Sequence, residues 1–405
     1  MDSIRNPYTP NAGASPEIIV GRDEHKRAFD MLLQRLQRGR TEQSMIMTGL
    51  RGVGKTVLLN EFGEMARAAH WEVLEIEASK HSDVHFRQTI ASLLKGALLR
   101  LSPRARWSDI GRRAAQVVTS FAATVDQQGT WSLSWDVEAA EGLADHGNLA
   151  MDLTDVFVAV GEAARERQRG VALLIDEVQF LSAVQLEALI QGVHKTVQKK
   201  LPLTFVGAGL PQIAELAGDA KSYAERLFKF PKIDSLSESE AEQALLEPAQ
   251  TEGVVFDRGA LDLARSITKG YPYFIQELGY QVWEIAEGPT LTREDVEQAR
   301  EVYETKLDSS FFRVRLDRAT PLQTAYMRAM AELGPDAQKA SDVARVMGRE
   351  STQLGPTRAE LIDMGLLYTP EHGYAAFTVP DFDKFMLRAV PSLNVPPVQK
   401  RSKKK

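Results

Sequence analysis

The chain has 405 residues, 43% of them hydrophobic, which predicts a globular protein of two or three domains and excludes a disordered chain. Its 49 basic and 55 acidic residues leave a formal charge of −6, so the chain as a whole is no basic coat for nucleic acid, and with no cysteine it excludes disulfides, thiolate catalysis and cysteine-based zinc sites. No apolar run reaches the roughly 18 residues that span a bilayer, and no apolar signal core follows the first residues; a cytoplasmic protein without a membrane partner is expected.

In chain order, apolar residues recur at helical spacing over 23–37, and 44–48 reads as a strand. Gly49-Leu50-Arg51-Gly52-Val53-Gly54-Lys55-Thr56 comes next and fits G-x-x-x-x-G-K-[ST] at every fixed position. The glycines let the backbone curl so that successive N–H groups face phosphate oxygens, and the helix behind them turns its positive end to the same anion. Lys55 is expected to reach the β/γ-phosphates of ATP and Thr56 to ligate Mg²⁺. The nucleotide-contacting set is therefore Gly49, Leu50, Arg51, Gly52, Val53, Gly54, Lys55, Thr56 and Val57.

Further helices are predicted over 57–69, 84–101, 153–167, 184–199 and 212–226, and further strands over 71–78, 171–175, 203–206 and 228–233. This alternation is the pattern of a mostly parallel sheet covered by helices. Between 102 and 148 it weakens and reads as an insertion, with a half-exposed strand over 129–135. Trp131 and Trp135 there form either a partner surface or packing against the adjoining helices.

The run Val171-Ala172-Leu173-Leu174-Ile175 ends in Asp176-Glu177, as expected of a buried parallel strand that delivers charge at its C-terminal end. Asp176 is placed to hold Mg²⁺ through water opposite Thr56, and Glu177 to act as general base on the attacking water. After 235 the chain turns helical, over 238–249, 258–268, 273–286 and 293–306, with no strand pattern between. The stretch 320–388 reads as helices over 321–333, 339–347 and 353–364 and a hairpin of 366–368 with 374–379, the layout of a winged helix-turn-helix.

Together these motifs resemble the AAA+ superfamily and the signal-transducing (STAND) ATPases related to it, the nearest likeness being to origin-recognition-complex-like and archaeal-type ATPases. The resemblance covers about 18–388 and implies an α/β P-loop NTPase of the ASCE type, followed by an α-helical lid and a winged helix-turn-helix domain. The expected boundaries are 1–235 for the ATPase domain, 236–309 for the lid, 310–390 for the winged helix and 391–405 for a basic tail. Val20-Gly21-Arg22-Asp23 resembles the segment that lies near the adenine in such proteins, which assigns Val20 and Gly21 to nucleotide contact. Arg226 falls where many of them place an arginine that reaches a neighbouring subunit's γ-phosphate, and is otherwise a solvated helix-end residue. Gly270-Tyr271-Pro272 resembles the lid motif through which Pro272 would meet nucleotide, and is equally a glycine-proline helix boundary.

Two departures point to a slow switch. Gly207-Ala208-Gly209 stands where a polar γ-phosphate sensor is usual, and the lid lacks the arginine of other branches; Gln179 offers a partial replacement or a capping role. Double-stranded DNA is the expected partner, through 339–379 and a 400–405 basic tail, although the positive residues of 311–390 are matched one for one by acidic ones, with only Arg349 and Arg358 around the third helix. The alternative is a STAND-like regulator in a signalling, defence or mobile-element system, whose winged helix and insertion recruit protein. A homo-oligomer is compatible with either.

Overall fold

The computed structural model describes every residue except 12, 81, 103–106, 124–136 and 398–405. The chain folds as two compact units, one of Gly21–Gly49 and Gly54–Ile233, the other of Met1–Val20, Leu50–Val53 and Asp234–Lys405.

The first unit opens with α1 (Asp23–Gln37), β1 (Ser44–Thr48), α2 (Lys55–Ala68), β2 (Glu72–Glu77), α3 (Asp83–Leu101), α4 (Asp109–Ala123) and α5 (Leu149–Glu166). It continues with β3 (Val171–Asp176), α6 (Ala183–Gln198), β4 (Leu203–Gly209), α7 (Ile213–Ala220), α8 (Ala224–Leu227) and β5 (Phe228–Lys229). The five strands are parallel in the order β2-β3-β4-β1-β5. Strands β1 and β4 are buried along their whole length, as is β3 up to Asp176, because helices cover both faces and a parallel strand so placed must be apolar throughout. Strand β4 lies between the strand that feeds the glycine-rich loop and the strand that ends at Asp176, which is the additional-strand order the sequence implied.

Several local expectations change. The helix expected over 212–226 is two helices, because Lys221 leaves helical geometry at φ −150 and ψ 123. The strand expected over 228–233 keeps only Phe228–Lys229, with one further bridge from Lys232 to Thr48; Pro231 has no N–H to donate to a ladder. The insertion holds a full helix, α4, whose buried face of Ala114, Val118 and Phe121 joins the main core. The strand expected over 129–135, with Trp131 and Trp135, lies outside the described residues.

The second unit contains α9 (Glu238–Thr251), β6 (Val255–Phe256), α10 (Arg258–Thr268), α11 (Pro272–Ile285), β7 (Thr290–Leu291) and α12 (Arg293–Lys306). Strands β6 and β7 form a small parallel pair inside what the sequence read as purely helical; two residues each are too short to show a period. Reciprocal capping boxes fix the starts of α9 (Ser237 with Glu240) and α12 (Thr292 with Asp295). The N-terminal segment packs on these helices: Tyr8 is buried with its hydroxyl donating to the Leu245 carbonyl, and the Trp283 indole N–H donates to the Asp2 carbonyl at 2.9 Å.

A π-helical turn over Leu307–Phe312 and α13 (Arg313–Leu316) lead into α14 (Pro321–Leu333), β8 (Gln338–Lys339), α15 (Ala340–Val346), α16 (Ser351–Asp363), β9 (Leu367–Tyr368), β10 (Tyr374–Phe377) and α17 (Phe382–Ala389). Three helices and an antiparallel sheet of order β8-β10-β9 make a winged helix-turn-helix. Helix α17, not anticipated from the sequence, seals this core through Phe382 and Phe385, which pack against Phe312.

Candidate functional site

Strand β1 runs buried into the glycine-rich loop, and Gly52 (φ +84) and Gly54 (φ +89) take the left-handed backbone that lets the loop reverse tightly into α2. Gly54 caps α2 without a side-chain hydrogen bond, and the positive end of the helix dipole faces the loop. Lys55 is only 8% exposed, and its ammonium group donates to the Gly49 carbonyl at 3.0 Å.

At the end of β3, the Thr56 hydroxyl donates to Asp176 Oδ2 at 2.6 Å, across 120 residues of sequence. Burial pushes the Asp176 carboxyl above its ordinary range, while that hydrogen bond and the Glu177 N–H, which donates to Asp176 Oδ1 at 2.8 Å, pull it back. These two hard oxygen donors fit Mg²⁺, which takes few protein ligands and fills its shell with phosphate and water oxygens. No group of three or more His, Cys, Asp or Glu able to hold a metal occurs among the described residues.

Glu177 adopts left-handed backbone, φ 52 and ψ 39, so the chain turns sharply after the strand and the two carboxylates diverge. Its Oε2 accepts a hydrogen bond from the Gln179 amide, and Gln179 Oε1 accepts from the Leu210 N–H at 3.1 Å. The sequence flagged Gln179 only for polarity, since proximity to β4 depends on the sheet order.

In the second unit, loop residue Arg51 donates its backbone N–H to the Thr378 carbonyl at 3.0 Å and its Nε to the Gly365 carbonyl at 3.2 Å. The Tyr271 hydroxyl donates to the Arg51 carbonyl, and the Tyr273 N–H to the Gly52 carbonyl at 3.2 Å. Pro272 is the first residue of α11, and Gly270 (φ +71) is required there because a Cβ would meet the Leu236 carbonyl oxygen at 2.3 Å. The motif therefore serves as a helix boundary and also lies beside the loop tip. Val20 is buried, Gly21 has φ +70, and Val57 is half-buried in the first turn of α2. Arg226 is exposed on the short helix α8, its carbonyl accepting from the Gln43 amide at 3.0 Å.

A phosphate loop on one strand, an acidic strand end two strands away and an intervening β4 define a P-loop NTPase with an additional strand. Residues 18–206 match the family model described as an AAA ATPase domain. Residues 309–386 match a domain of unknown function.

An uncharacterized HTH-type transcriptional regulator of Methanocaldococcus jannaschii is 22% identical over 379 residues, covering 91% of this chain and 88% of that protein. The Walker-type ATPase of Pyrococcus abyssi superposes with a TM-score of 0.57 at 15% identity, over 92% of this chain and 97% of that one. The Aeropyrum pernix ORC1 protein, solved in complex with DNA, gives 0.47 at 15% identity over 96% of each chain. No helix among the described residues is long and apolar enough to cross a membrane.

Proposed function

We propose that this protein is an ATP-binding, slowly hydrolysing switch whose nucleotide state governs its winged helix, with 1–235 as the ATPase domain, 236–309 as lid, 310–390 as winged helix and 391–405 as tail. The observation that carries the nucleotide reading is the Thr56–Asp176 contact, which brings the ends of the two motifs together. Lys55 and the loop N–H groups would hold the phosphates of ATP, and Thr56 and Asp176 would hold Mg²⁺. The metal, when bound, neutralises phosphate charge. Glu177 takes a proton from water as the water oxygen bonds to the γ-phosphorus and the β–γ bridging oxygen leaves with its electron pair on ADP. The apolar, wholly buried end of β4, Gly207-Ala208-Gly209, offers the γ-phosphate no side-chain donor, which supports slow turnover. Arg226, exposed on α8, is proposed to act on a neighbouring copy's nucleotide, and Val20, Gly21 and Pro272 to touch nucleotide.

Coupling to the winged helix is supported by Arg51. Its N–H, which a phosphate loop would turn to the anion, is given to Thr378 in the segment after β10, so phosphate and that segment compete for one donor. We assign the winged helix to double-stranded DNA, a reading supported by the HTH-type relative. The test is ATPase rate with and without duplex DNA across protein concentrations. DNA stimulation supports the assignment, a per-subunit rate that climbs with concentration supports Arg226 in trans, and a rate flat in both removes both.

A protein partner is the second reading, favoured by what the arginines do. Arg358 donates to the Thr369 hydroxyl and the Tyr374 carbonyl, and Arg349 to the Pro396 carbonyl, so both cations around α16 are engaged within the fold.

A further inference from the structure

We infer that Gln179 is a positioning residue for Glu177, a tether that fixes the carboxylate to the end of β4. The inference rests on the reading of Glu177 as the general base. Glu177 leaves β3 on a left-handed residue, so neither strand nor helix geometry aims its side chain. Gln179, within the 3₁₀ turn Val178–Phe180, spans the gap: its amide nitrogen donates to Glu177 Oε2 and its amide oxygen accepts from the Leu210 N–H at 3.1 Å. An amide can do both, whereas a carboxylate has no hydrogen to donate and an ammonium group cannot accept.

The strand is shaped for this side chain. A Cβ on Gly209 would stand 2.8 Å from Gln179 Oε1 and 2.8 Å from Val178 Cγ2, closer than packed carbon allows, so glycine at 209 keeps the notch open. The strand end surrenders a side chain and receives Gln179 in its place. With Oε2 held, the carboxylate meets the attacking water in one defined orientation. The tether runs to Leu210, just past the strand that separates the two nucleotide motifs in the sheet, so a shift at that end moves the base.

The test uses the full chain. Gln179→Leu, which keeps bulk and loses both hydrogen bonds, should lower kcat about 10- to 100-fold, the range expected when a reacting group is misplaced by about 1 Å. Affinity for a fluorescent ATP analogue should stay within about twofold, because Gln179 acts through Glu177 and not on bound phosphate. In nucleotide-free protein the Leu210 amide should exchange faster with solvent, a readout that needs no turnover. Gly209→Ala, which attacks the notch from the other side, should reproduce the loss of kcat and the faster exchange. In a Glu177→Gln background, adding Gln179→Leu should not change the residual turnover of radiolabelled ATP.

Wild-type kcat in Gln179→Leu overturns the inference. So does a further drop in the Glu177→Gln background by the same factor, because Gln179 would then act independently of the base. Wild-type turnover in Glu177→Gln alone sinks the base assignment instead, while the Leu210 exchange still reports whether the tether exists.

Discussion

Removing the Lys55 ammonium should cost nucleotide binding two to four orders of magnitude. Lys55 is 8% exposed and already desolvated, held against the Gly49 carbonyl at 3.0 Å, so it meets phosphate without a large new dehydration or ordering cost. A hydrogen bond to a charged partner contributes about 1.5–3 kcal/mol, and two of them to β- and γ-phosphate oxygens about 3–6 kcal/mol. At 1.4 kcal/mol per decade this is about a 10²- to 10⁴-fold rise in Kd. Lys55→Met is the preferred substitution, because it keeps an unbranched apolar stem in the buried position and deletes only the charge. The assay is equilibrium titration of a fluorescent ATP analogue with Mg²⁺, accompanied by urea unfolding of the nucleotide-free protein. A change in Kd of less than about threefold with an unchanged unfolding midpoint would refute the assignment of this loop to phosphate.

Glu177→Gln should retain ATP affinity within about twofold and lose about 10²- to 10⁴-fold in kcat, read from phosphate release. Thr56→Ala should abolish most of the difference in nucleotide affinity between Mg²⁺ and EDTA, because it removes the hydroxyl beside Asp176. Asp152, whose side chain is fully buried, accepts from Arg87 at 2.8 Å and from the His146 N–H at 2.9 Å; Asp152→Ala should destabilise the sheet unit by about 3–5 kcal/mol in urea titration, and Arg87→Met with Asp152→Leu should recover most of it. Burial acts to raise the Asp381 carboxyl, but Lys384 and Lys269 outweigh it and hold it below its ordinary 3.8. The unfolded chain then binds more protons, so this contribution is full above about pH 4 and disappears as pH falls through the lower folded value. Asp381→Asn, whose side chain tolerates the left-handed backbone at φ 58, should lower the urea midpoint at pH 6, and by progressively less as pH falls below 3.8.

What was legible in the sequence follows the reach of each signal. The loop from Gly49 to Thr56 and the pair Asp176-Glu177 are contiguous in the chain and chemically specific, and the sheet brings Thr56 and Asp176 to 2.6 Å. Helices with a clear apolar stripe, such as Asp23–Gln37 and Arg293–Lys306, begin and end where the periodicity does. Helix α4 escaped because alanine, glycine and serine fill much of its buried face, and small residues mark a period weakly. Strands β6 and β7 escaped for length, and β5 was overextended because Phe230 and Ile233 imitate a strand across Pro231. The Gln179 contact was illegible for a different reason. It depends on β4 lying next to β3 and on the absence of a side chain at Gly209, and neither is a local property of the residues around 179.

Charge on the winged helix weighs against reading that fold as sufficient for DNA. Duplex affinity of a non-specific kind comes from cations that replace counterions, so a cation already spent inside the fold contributes little to it. In this segment Arg328 donates to the Val390 and Pro391 carbonyls, Arg345 pairs with Asp342 at 2.8 Å, Arg388 with Asp308 at 2.6 Å and Lys384 with Asp381 at 2.7 Å. The exposed side of α16 presents Thr352, Gln353, Ala359 and Glu360, and Pro356 sits within the helix. Such a face can read base edges through Thr352 and Gln353 but has little to draw it toward phosphate. Contact with a duplex would therefore depend on positive charge supplied from elsewhere, whether from the chain's basic C-terminal sequence or from a second copy. That requirement makes the dependence of binding on salt, more than binding itself, the quantity that separates a DNA-reading winged helix from one that meets protein.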